Sequence, residues 1–226
     1  MKTLLDRPVW SALNTRHADL ALGEGPAKRY PSAIVPFAST ADDSEPSLAA
    51  LAALVGPDDS VILAQADPIV LPTQLVATMQ ADAVQMVAEQ RWAPFEDDRI
   101  GKLGADDAAE MLALATLTKP GPFAAKARSL GDFWGIKIDG RLAAMAGQRM
   151  AQPGLTELSG VCTHPDFRGK GFGRLMSLYV AGQIFGRGET AYLHAYANNA
   201  PAIGLYETIG FRLRSAINVA VVHRKA

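Results

Sequence analysis

The chain has 226 residues, of which 49% are hydrophobic and 20% charged, with a formal net charge of −1. These values are typical of a globular protein and exclude a disordered or fibrous chain. No apolar run approaches the roughly 20 residues that cross a bilayer. Asp6, Arg7 and Pro8 interrupt the N-terminal apolar residues before a signal peptide can form. We therefore expect a cytoplasmic protein that does not contact membranes.

Cysteine content and charge limit the chemistry further. The single cysteine, Cys162, excludes an internal disulfide framework and a cysteine-based metal site, and we expect no metal. Residues 1–80 contain 5 Lys and Arg against 9 Asp and Glu, whereas the chain from residue 120 onward contains 13 against 6. The near-neutral total argues against a nucleic-acid-binding protein. The basic C-terminal half suits an anionic ligand.

The first 80 residues predict short elements separated by proline-containing and polar turns. A strand is predicted over 33–37, a helix over 47–55 and a strand over 61–64. This segment contains no catalytic motif. We interpret residues 1–80 as an N-terminal α/β extension that lengthens a sheet or covers one side of the next domain.

A regular alternation of strands and helices begins near residue 81. A strand over 83–88, a polar loop over 95–104 and a helix opened by Asp106 and Asp107 come first. Five further elements share the alternation after residue 150: strand 155–163, helix 174–186, strand 191–197, helix 200–208 and strand 211–222.

A hairpin lies between these two groups. Strands over 133–138 and 142–148 are joined by Asp139-Gly140, a strong signal for a two-residue turn. An antiparallel hairpin that leads into a β-α-β crossover predicts an α/β fold with a mixed central sheet flanked by helices, for a domain over 81–226.

The most informative segment is the loop between the strand that ends at Thr163 and the helix that follows it. The loop contains Gly169, Gly171 and Gly173, which let main-chain amides approach a ligand that a Cβ would exclude. The helix start directs free N–H groups and the positive end of its dipole at the loop, which suits a pyrophosphate. Three basic residues lie there as well: Arg168, Lys170 and Arg174. Phosphate binding is preferred over a turn that is rich in glycine for geometry alone.

Two common phosphate-binding patterns do not fit this loop. A Walker loop needs Ser or Thr directly after its lysine, and Gly171 follows Lys170. The dinucleotide fingerprint G-x-G-x-x-G fails because the spacing here is G-x-G-x-G.

A third pattern does fit. R-x-x-G-x-G runs from Arg168 to Gly173 and resembles the acyl-CoA-binding motif of the GCN5-related N-acetyltransferases, the GNAT family. Residues 199–211 resemble the N-x-x-A-x-x-x-Y-x-x-x-G-F segment of that family. The two blocks are about 25 residues apart with a strand between them. The resemblance covers about residues 81–226, and the C-terminal part is similar to the FR47-like branch.

The resemblance implies a GNAT-like acyl-CoA N-acyltransferase fold with a mostly antiparallel sheet, in which the strand before the loop splays from the next strand. The pantetheine arm of acetyl-CoA would lie in the gap, against the strand segment Val161, Cys162 and Thr163. The pyrophosphate would be held by the loop and the helix start: Arg168, Gly169, Lys170, Gly171, Phe172, Gly173 and Arg174. Asn199 would contact the pantetheine or the phosphates, or would cap its helix as Asn commonly does.

Tyr206 is the first catalytic candidate. It matches the position at which the family often has a general acid that protonates the departing thiolate. A phenol has a reference pKa of about 10, so it stays protonated at neutral pH and can donate a proton. The alternative is an aromatic side chain packed in the core beside Ile203 and Phe211.

Glu157 is the second catalytic candidate. Some family members use an acid in this strand as the base for the amine, often through water. Strand alternation places Glu157, Ser159, Val161 and Thr163 on one face unless Gly160 marks a bulge. A solvated or salt-bridged strand Glu is an equally good interpretation. His194 and Tyr196, on the next strand, are candidates to line the same cleft.

We therefore expect an N-acetyltransferase that moves an acetyl group from acetyl-CoA directly to a primary amine of a small molecule or peptide. Cys162 is interpreted as a buried thiol and not as a nucleophile. The alternatives are a non-catalytic CoA-binding sensor and a nucleotide-dependent oxidoreductase. The sequence is compatible with many amine acceptors and with a homodimer.

Overall fold

The computed structural model describes residues 3–225, which form five α-helices and ten β-strands. Met1, Lys2 and Ala226, at the outer ends of the two predicted segments, lie outside the described residues. The helices are α1 (Pro8–Leu13), α2 (Glu45–Leu54), α3 (Ala108–Thr118), α4 (Phe172–Gly186) and α5 (Ala200–Thr208). The strands are β1 (Ala27–Arg29), β2 (Ala38–Thr40), β3 (Ser60–Gln65), β4 (Leu75–Ala88), β5 (Ile100–Lys102), β6 (Phe133–Ile138), β7 (Arg141–Gln152), β8 (Leu155–Thr163), β9 (Thr190–Tyr196) and β10 (Phe211–Arg224).

Eight strands form one sheet in the order β3-β10-β4-β9-β8-β7-β6-β5 within the described range. Neighbouring strands are antiparallel except β8 and β9, which are parallel. Helix α4 connects β8 to β9 and supplies the crossover that parallel neighbours require. Strands β1 and β2 form a separate two-stranded sheet. The predicted α/β fold, a mixed and mostly antiparallel sheet flanked by helices, is confirmed.

Two helical layers cover the sheet. Met176, Val180 and Ile184 of α4, spaced four residues apart, are fully buried on one face. Burial of such a side chain contributes about 1.5–3 kcal/mol. Helices α1 and α3 pack against the opposite face, where they contact β7. No helix within residues 3–225 has the length and apolarity needed to cross a membrane.

The first 80 residues join the main sheet. Strand β3 pairs with β10, and β4 runs continuously through residue 80 between β10 and β9. The main-chain oxygens of Leu5 and Pro8 accept hydrogen bonds from Gln85 Nε2 at 3.0 Å and Gln152 Nε2 at 2.9 Å. The division of the chain at residue 80 stays a prediction.

Two local expectations differ from the structure. The strand predicted over 33–37 is wrong in its position: Ile34 and Val35 both donate main-chain hydrogen bonds to the Pro31 carbonyl, residues 32–34 form a turn, and strand β2 begins at Ala38. The loop predicted over 95–104 contains β5, which pairs Ile100 with Ile136 at the edge of the sheet.

Candidate active site

Strands β8 and β9 separate after a short paired stretch. Their parallel pairing extends only from Leu155 opposite Thr190 to Glu157 opposite Tyr192 among the described residues. Beyond that point β8 continues beside β7, and β9 continues beside β4. The main-chain groups of β8 that face the gap are therefore available to a ligand. The strands splay as the family resemblance implies, and we call this gap the β8–β9 split.

A β-bulge at Gly160 determines which side chains of β8 face each layer. The β7–β8 register slips by one residue between the pairs Met145–Cys162 and Gly147–Ser159. Gly160 has φ +63°, and a Cβ there would lie 2.9 Å from the Phe133 ring. Glycine is therefore required at this position.

The bulge reverses the alternation along β8. Cys162 packs in the cluster formed with α3, whereas Val161 packs against the α4 cluster. Glu157 lies on the same side of the sheet as Cys162, where it contacts Arg149. A single face for Glu157, Ser159, Val161 and Thr163 is therefore wrong, for the reason that the sequence pattern itself raised: Gly160 is a bulge.

The loop before α4 has the geometry of an anion-binding helix start. Gly169 and Gly171 both have φ +77°, which L side chains rarely adopt, and a Cβ on either would point into open space. Gly171 is the N-cap residue of α4; no described side chain caps this helix, and its first turn contains no acidic residue. The first N–H groups of α4 therefore have room for an anion.

The three basic residues surround this helix start. Arg168, Lys170 and Arg174 are exposed, and none of them forms an ion pair with a residue in the range 3–225. The Nζ of Lys170 lies 5.3 Å from the centre of the Phe167 ring. Asp166, the nearest acid in sequence, pairs with Arg141 at 3.1 Å. The positive charge around the loop is therefore uncompensated, which favours an anionic ligand.

The predicted strand segment has its main chain at the split, but the Cys162 side chain points away from it. Burial raises the pKa of the Cys162 thiol to about 11. The group is a neutral thiol at physiological pH and is no activated nucleophile. The Thr163 hydroxyl lies near the start of α4, 4.0 Å from the position of a Cβ on Gly173.

Asn199 and Tyr206 lie on α5. Asn199 is the N-cap residue, and its Oδ1 accepts a hydrogen bond from the Ala202 main-chain N–H at 3.3 Å. The Tyr206 residue is 9% exposed, and its ring packs edge-on to Phe211 at 6.0 Å between centroids. Burial raises the pKa of Tyr206 to about 12, so the phenol is protonated at neutral pH. No residue in the described range forms a hydrogen bond with its hydroxyl.

Glu157 lies at the point where the strands part. Its carboxylate accepts two hydrogen bonds from Arg149, from Nε at 2.8 Å and from Nη2 at 2.6 Å, and a third from the Met150 main chain at 3.3 Å. His194 Nδ1 is 2.7 Å from the same carboxylate. Burial raises the pKa of Glu157, but the Arg149 charge and these hydrogen bonds outweigh burial and lower it to about 2.

The hydrogen bonds of His194 continue to the N-terminal segment. Gln85 Oε1 accepts from Arg214 Nη1 at 2.7 Å, and Gln85 Nε2 donates to the Leu5 main chain at 3.0 Å. The second hydrogen on Gln85 Nε2 points at His194 Nε2, 2.9 Å away. His194 therefore accepts at Nε2 and donates from Nδ1 to Glu157.

A cavity of about 100 Å³ lies at the β8–β9 split. It is bounded by Val161 and Tyr206 on one side of the sheet and by Arg149 and His194 on the other. We call it the split cavity. Strand β8 runs from this cavity, which Gly160 and Val161 line, to the loop before α4. The His, Cys, Asp and Glu residues of the described chain form no group of three that could hold a metal.

Sequence reasoning did not find two groups of site residues. Arg149, which neutralises Glu157, lies in a strand that also contains Arg141, Gln148 and Gln152, so its charge did not distinguish it in the sequence. Phe37, Ile62 and Met79, which line the split cavity, come from a segment without any motif. No local pattern indicates that they reach the site.

This fold and site define the class of enzymes that move acyl groups from CoA. Residues 134–219 match the model of the family described as FR47-like protein. A crystal structure from Novosphingobium aromaticivorans DSM 12444, assigned to the GNAT family of acetyltransferases, is similar to this chain, with 40% identity, a TM-score of 0.94 and coverage of 100% of both chains. The chain belongs to the GNAT family of acetyltransferases, and the family resemblance is confirmed.

Two other proteins show how far the similarity extends. A GCN5-related N-acetyltransferase from Kribbella flavida shares the fold, with a TM-score of 0.62 and 17% identity over 96% of this chain and 93% of that one. The [Ribosomal protein bS18]-alanine N-acetyltransferase of Salmonella typhimurium is 36% identical over 77 residues, which are 34% of this chain. The match spans about half, 51%, of that curated relative.

Proposed function

We propose that this protein transfers an acetyl group from acetyl-CoA directly to a primary amine of a small molecule or peptide. The observation that carries the proposal is the β8–β9 split, along which β8 leads from the split cavity to the free helix start. Family membership supports the reaction type. The relative named for acetylating an alanine of a ribosomal protein supports the peptide as one kind of acceptor.

The residues present fit acetyl-CoA. The amides from Gly169 to Arg174 have open space above them and would hold the pyrophosphate, with Arg168 and Lys170 adding charge. The main chains of Val161 and Thr163 would hydrogen-bond the pantetheine arm, which would lie along the segment that includes Cys162. Asn199 would contact the same arm, because its side-chain NH₂ is exposed and unused by the cap. When bound, acetyl-CoA supplies a thioester carbonyl that an amine can attack.

One side chain and water would move the two protons of the reaction. In the balanced reaction, the amine nitrogen forms a bond to the acetyl carbon, the carbon–sulfur bond breaks, the nitrogen loses one proton and the sulfur gains one. Tyr206 donates that proton to sulfur, since its hydroxyl is protonated and unpaired at the wall of the split cavity. Glu157, the predicted base, is fully buried with both oxygens occupied, and both ring nitrogens of His194 are hydrogen-bonded, so the amine would lose its proton to water beside this pair.

Binding and turnover test the proposal separately. Calorimetry with acetyl-CoA, NAD and ATP should show binding of acetyl-CoA alone, weakened moderately by added salt because part of the attraction is exposed charge. A panel of primary amines with thiol detection should then show CoA release that depends on the amine. Binding of NAD without acetyl-CoA, or acetyl-CoA binding without turnover on any amine, would overturn acetyl transfer.

A further inference from the structure

The far side of the split cavity is built mainly by the N-terminal segment. Phe37, Ile62, Ala64 and Met79 line it, although they belong to the part of the chain that carries no motif. Strand β10 adds further apolar side chains there: Ile217 and Val219. The wall that the N-terminal segment and β10 form is therefore apolar.

The lining carries no free negative charge. None of the described residues that line the cavity is Asp or Glu. The carboxylate behind the wall, Glu157, is shielded by Arg149, whose guanidinium stacks over Phe37 at 5.0 Å. A cationic group on the acceptor in addition to its amine would find no anionic partner here. An anionic group would meet only the Arg149 guanidinium, which Glu157 already neutralises.

Size narrows the acceptor further. A cavity of about 150 Å³ is known to hold benzene, and the split cavity has about 100 Å³. This space suits a short alkyl group better than a long or extended one.

We propose, on the basis of the acetyl transfer proposed above, that the N-terminal segment forms the acceptor site and that the acceptor is a primary amine carrying a small branched alkyl group. The alkyl group packs against Ile62 and Met79, and the amine lies toward His194 and the split. This assigns a role in substrate selection to residues 1–80.

Three amines of similar length test the chemistry. 3-Methylbutylamine, 1,4-diaminobutane and 4-aminobutyrate differ in carrying an alkyl branch, a second cation or an anion. We expect kcat/KM for 3-methylbutylamine to exceed the other two by at least about tenfold, since misplaced groups in an apolar pocket cost this much or more. A preference for the diamine or the amino acid, or no turnover of 3-methylbutylamine, would overturn the acceptor proposal.

A matched pair of variants tests the wall. Met79 and Val76 lie on the same strand with similar exposure, 41% and 39%, but only Met79 lines the split cavity. Met79→Glu should lower kcat/KM for 3-methylbutylamine about tenfold and raise it for 1,4-diaminobutane. Val76→Glu should change neither. Equal effects of the two substitutions would overturn the placement of the acceptor.

The acetyl-CoA dissociation constant separates this proposal from the proposed function. Calorimetry should give the same value for the parent protein, Met79→Glu and Val76→Glu, because neither residue approaches the loop before α4. If acetyl-CoA binds and turns over but the acceptor tests fail, only the acceptor proposal is wrong. If acetyl-CoA does not bind, both the proposed acetyl transfer and the acceptor proposal are wrong.

Discussion

Tyr206 brings an unpaired hydroxyl to the wall of the split cavity. Tyr206→Phe removes that hydroxyl and keeps the ring against Phe211, so the fold and acetyl-CoA affinity should be unchanged. If the hydroxyl protonates the leaving sulfur, kcat should fall by about 10²-fold, the lower end of general acid catalysis. Steady-state kinetics with thiol detection across pH measures this.

Tyr179 provides the matched control for Tyr206. It is 8% exposed, belongs to the same apolar cluster and lies outside the lining of the cavity. Tyr179→Phe should leave kcat unchanged. If Tyr206→Phe also leaves kcat unchanged at every pH, Tyr206 is a packing residue and water supplies the proton.

Glu157 makes stability depend on acid pH. Its pKa is lowered from 4.5 to about 2 in the folded protein, so the carboxylate binds a proton more readily in the unfolded chain. The contribution of Glu157 to the free energy of unfolding is therefore fully present above pH 4.5 and is lost as pH falls toward 2. Urea unfolding at successive pH values measures the loss.

Substitution of Glu157 distinguishes its contribution from that of other carboxylates. Glu157→Gln leaves the buried Arg149 charge without its partner and should lower stability at neutral pH by about 3–5 kcal/mol. The substitution should also reduce the dependence of the free energy of unfolding on pH below 4.5. Glu207→Gln, on the exposed side of α5, should change neither quantity. If the free energy of unfolding of Glu157→Gln falls with decreasing pH in parallel with that of the parent protein, Glu157 is not the source of the acid dependence.

The residues that surround Glu157 show where sequence reasoning stops. The glycine spacing and the basic side chains of the loop are local, so sequence alone located them. The Arg149–Glu157 pair depends on two register slips between β7 and β8, one on each side of Ser159. Register is set by packing and bulges, which no short pattern encodes.

At the level of elements, the loop before α4 depends on the left-handed conformation of Gly171. Gly171→Val should abolish acetyl-CoA binding measured by calorimetry, because a branched side chain would fill the space above the helix start. Gly188, in the turn after α4, has the same φ of +77° and the same open surroundings. Gly188→Val carries a similar backbone cost of about 1–2 kcal/mol and should retain binding.

This pair of glycines separates backbone strain from ligand contact. The proposed cofactor site is supported if Gly171→Val and Gly188→Val lose the same stability but only Gly171→Val loses acetyl-CoA affinity. Retained affinity in a folded Gly171→Val protein would remove the loop from that site.

Elements with local signals were predictable and those fixed by distant contacts were not. Asp139 and Gly140 have φ +50° and +76°, as a two-residue hairpin turn requires. Strand β5 has only three residues and exists because it pairs with β6. Residues 33–37 include strand-like apolar side chains, but Ile34, Val35 and Phe37 are buried in one cluster with residues of α1 and β7.

On the scale of the whole molecule, the N-terminal segment supplies core as well as cavity wall. Leu5, Val9, Leu13 and Tyr30 are buried in one cluster with Met150 and Tyr192 of the sheet. Four buried side chains of this kind contribute about 6–12 kcal/mol. That sum is comparable with the net stability of a domain, about 5–15 kcal/mol.

A chain that begins at residue 81 should therefore lose most of its stability. It lacks this cluster, loses the partner strand β3 and begins inside β4, which starts at Leu75. It also lacks the hydrogen bonds that Leu5 and Pro8 accept from Gln85 and Gln152. We expect a broad urea transition of low midpoint in place of one cooperative transition, measured by circular dichroism. A truncated chain with the same midpoint and slope as the full chain would instead establish residue 81 as a domain boundary, since the free energy of unfolding would then reside wholly in residues 81–226.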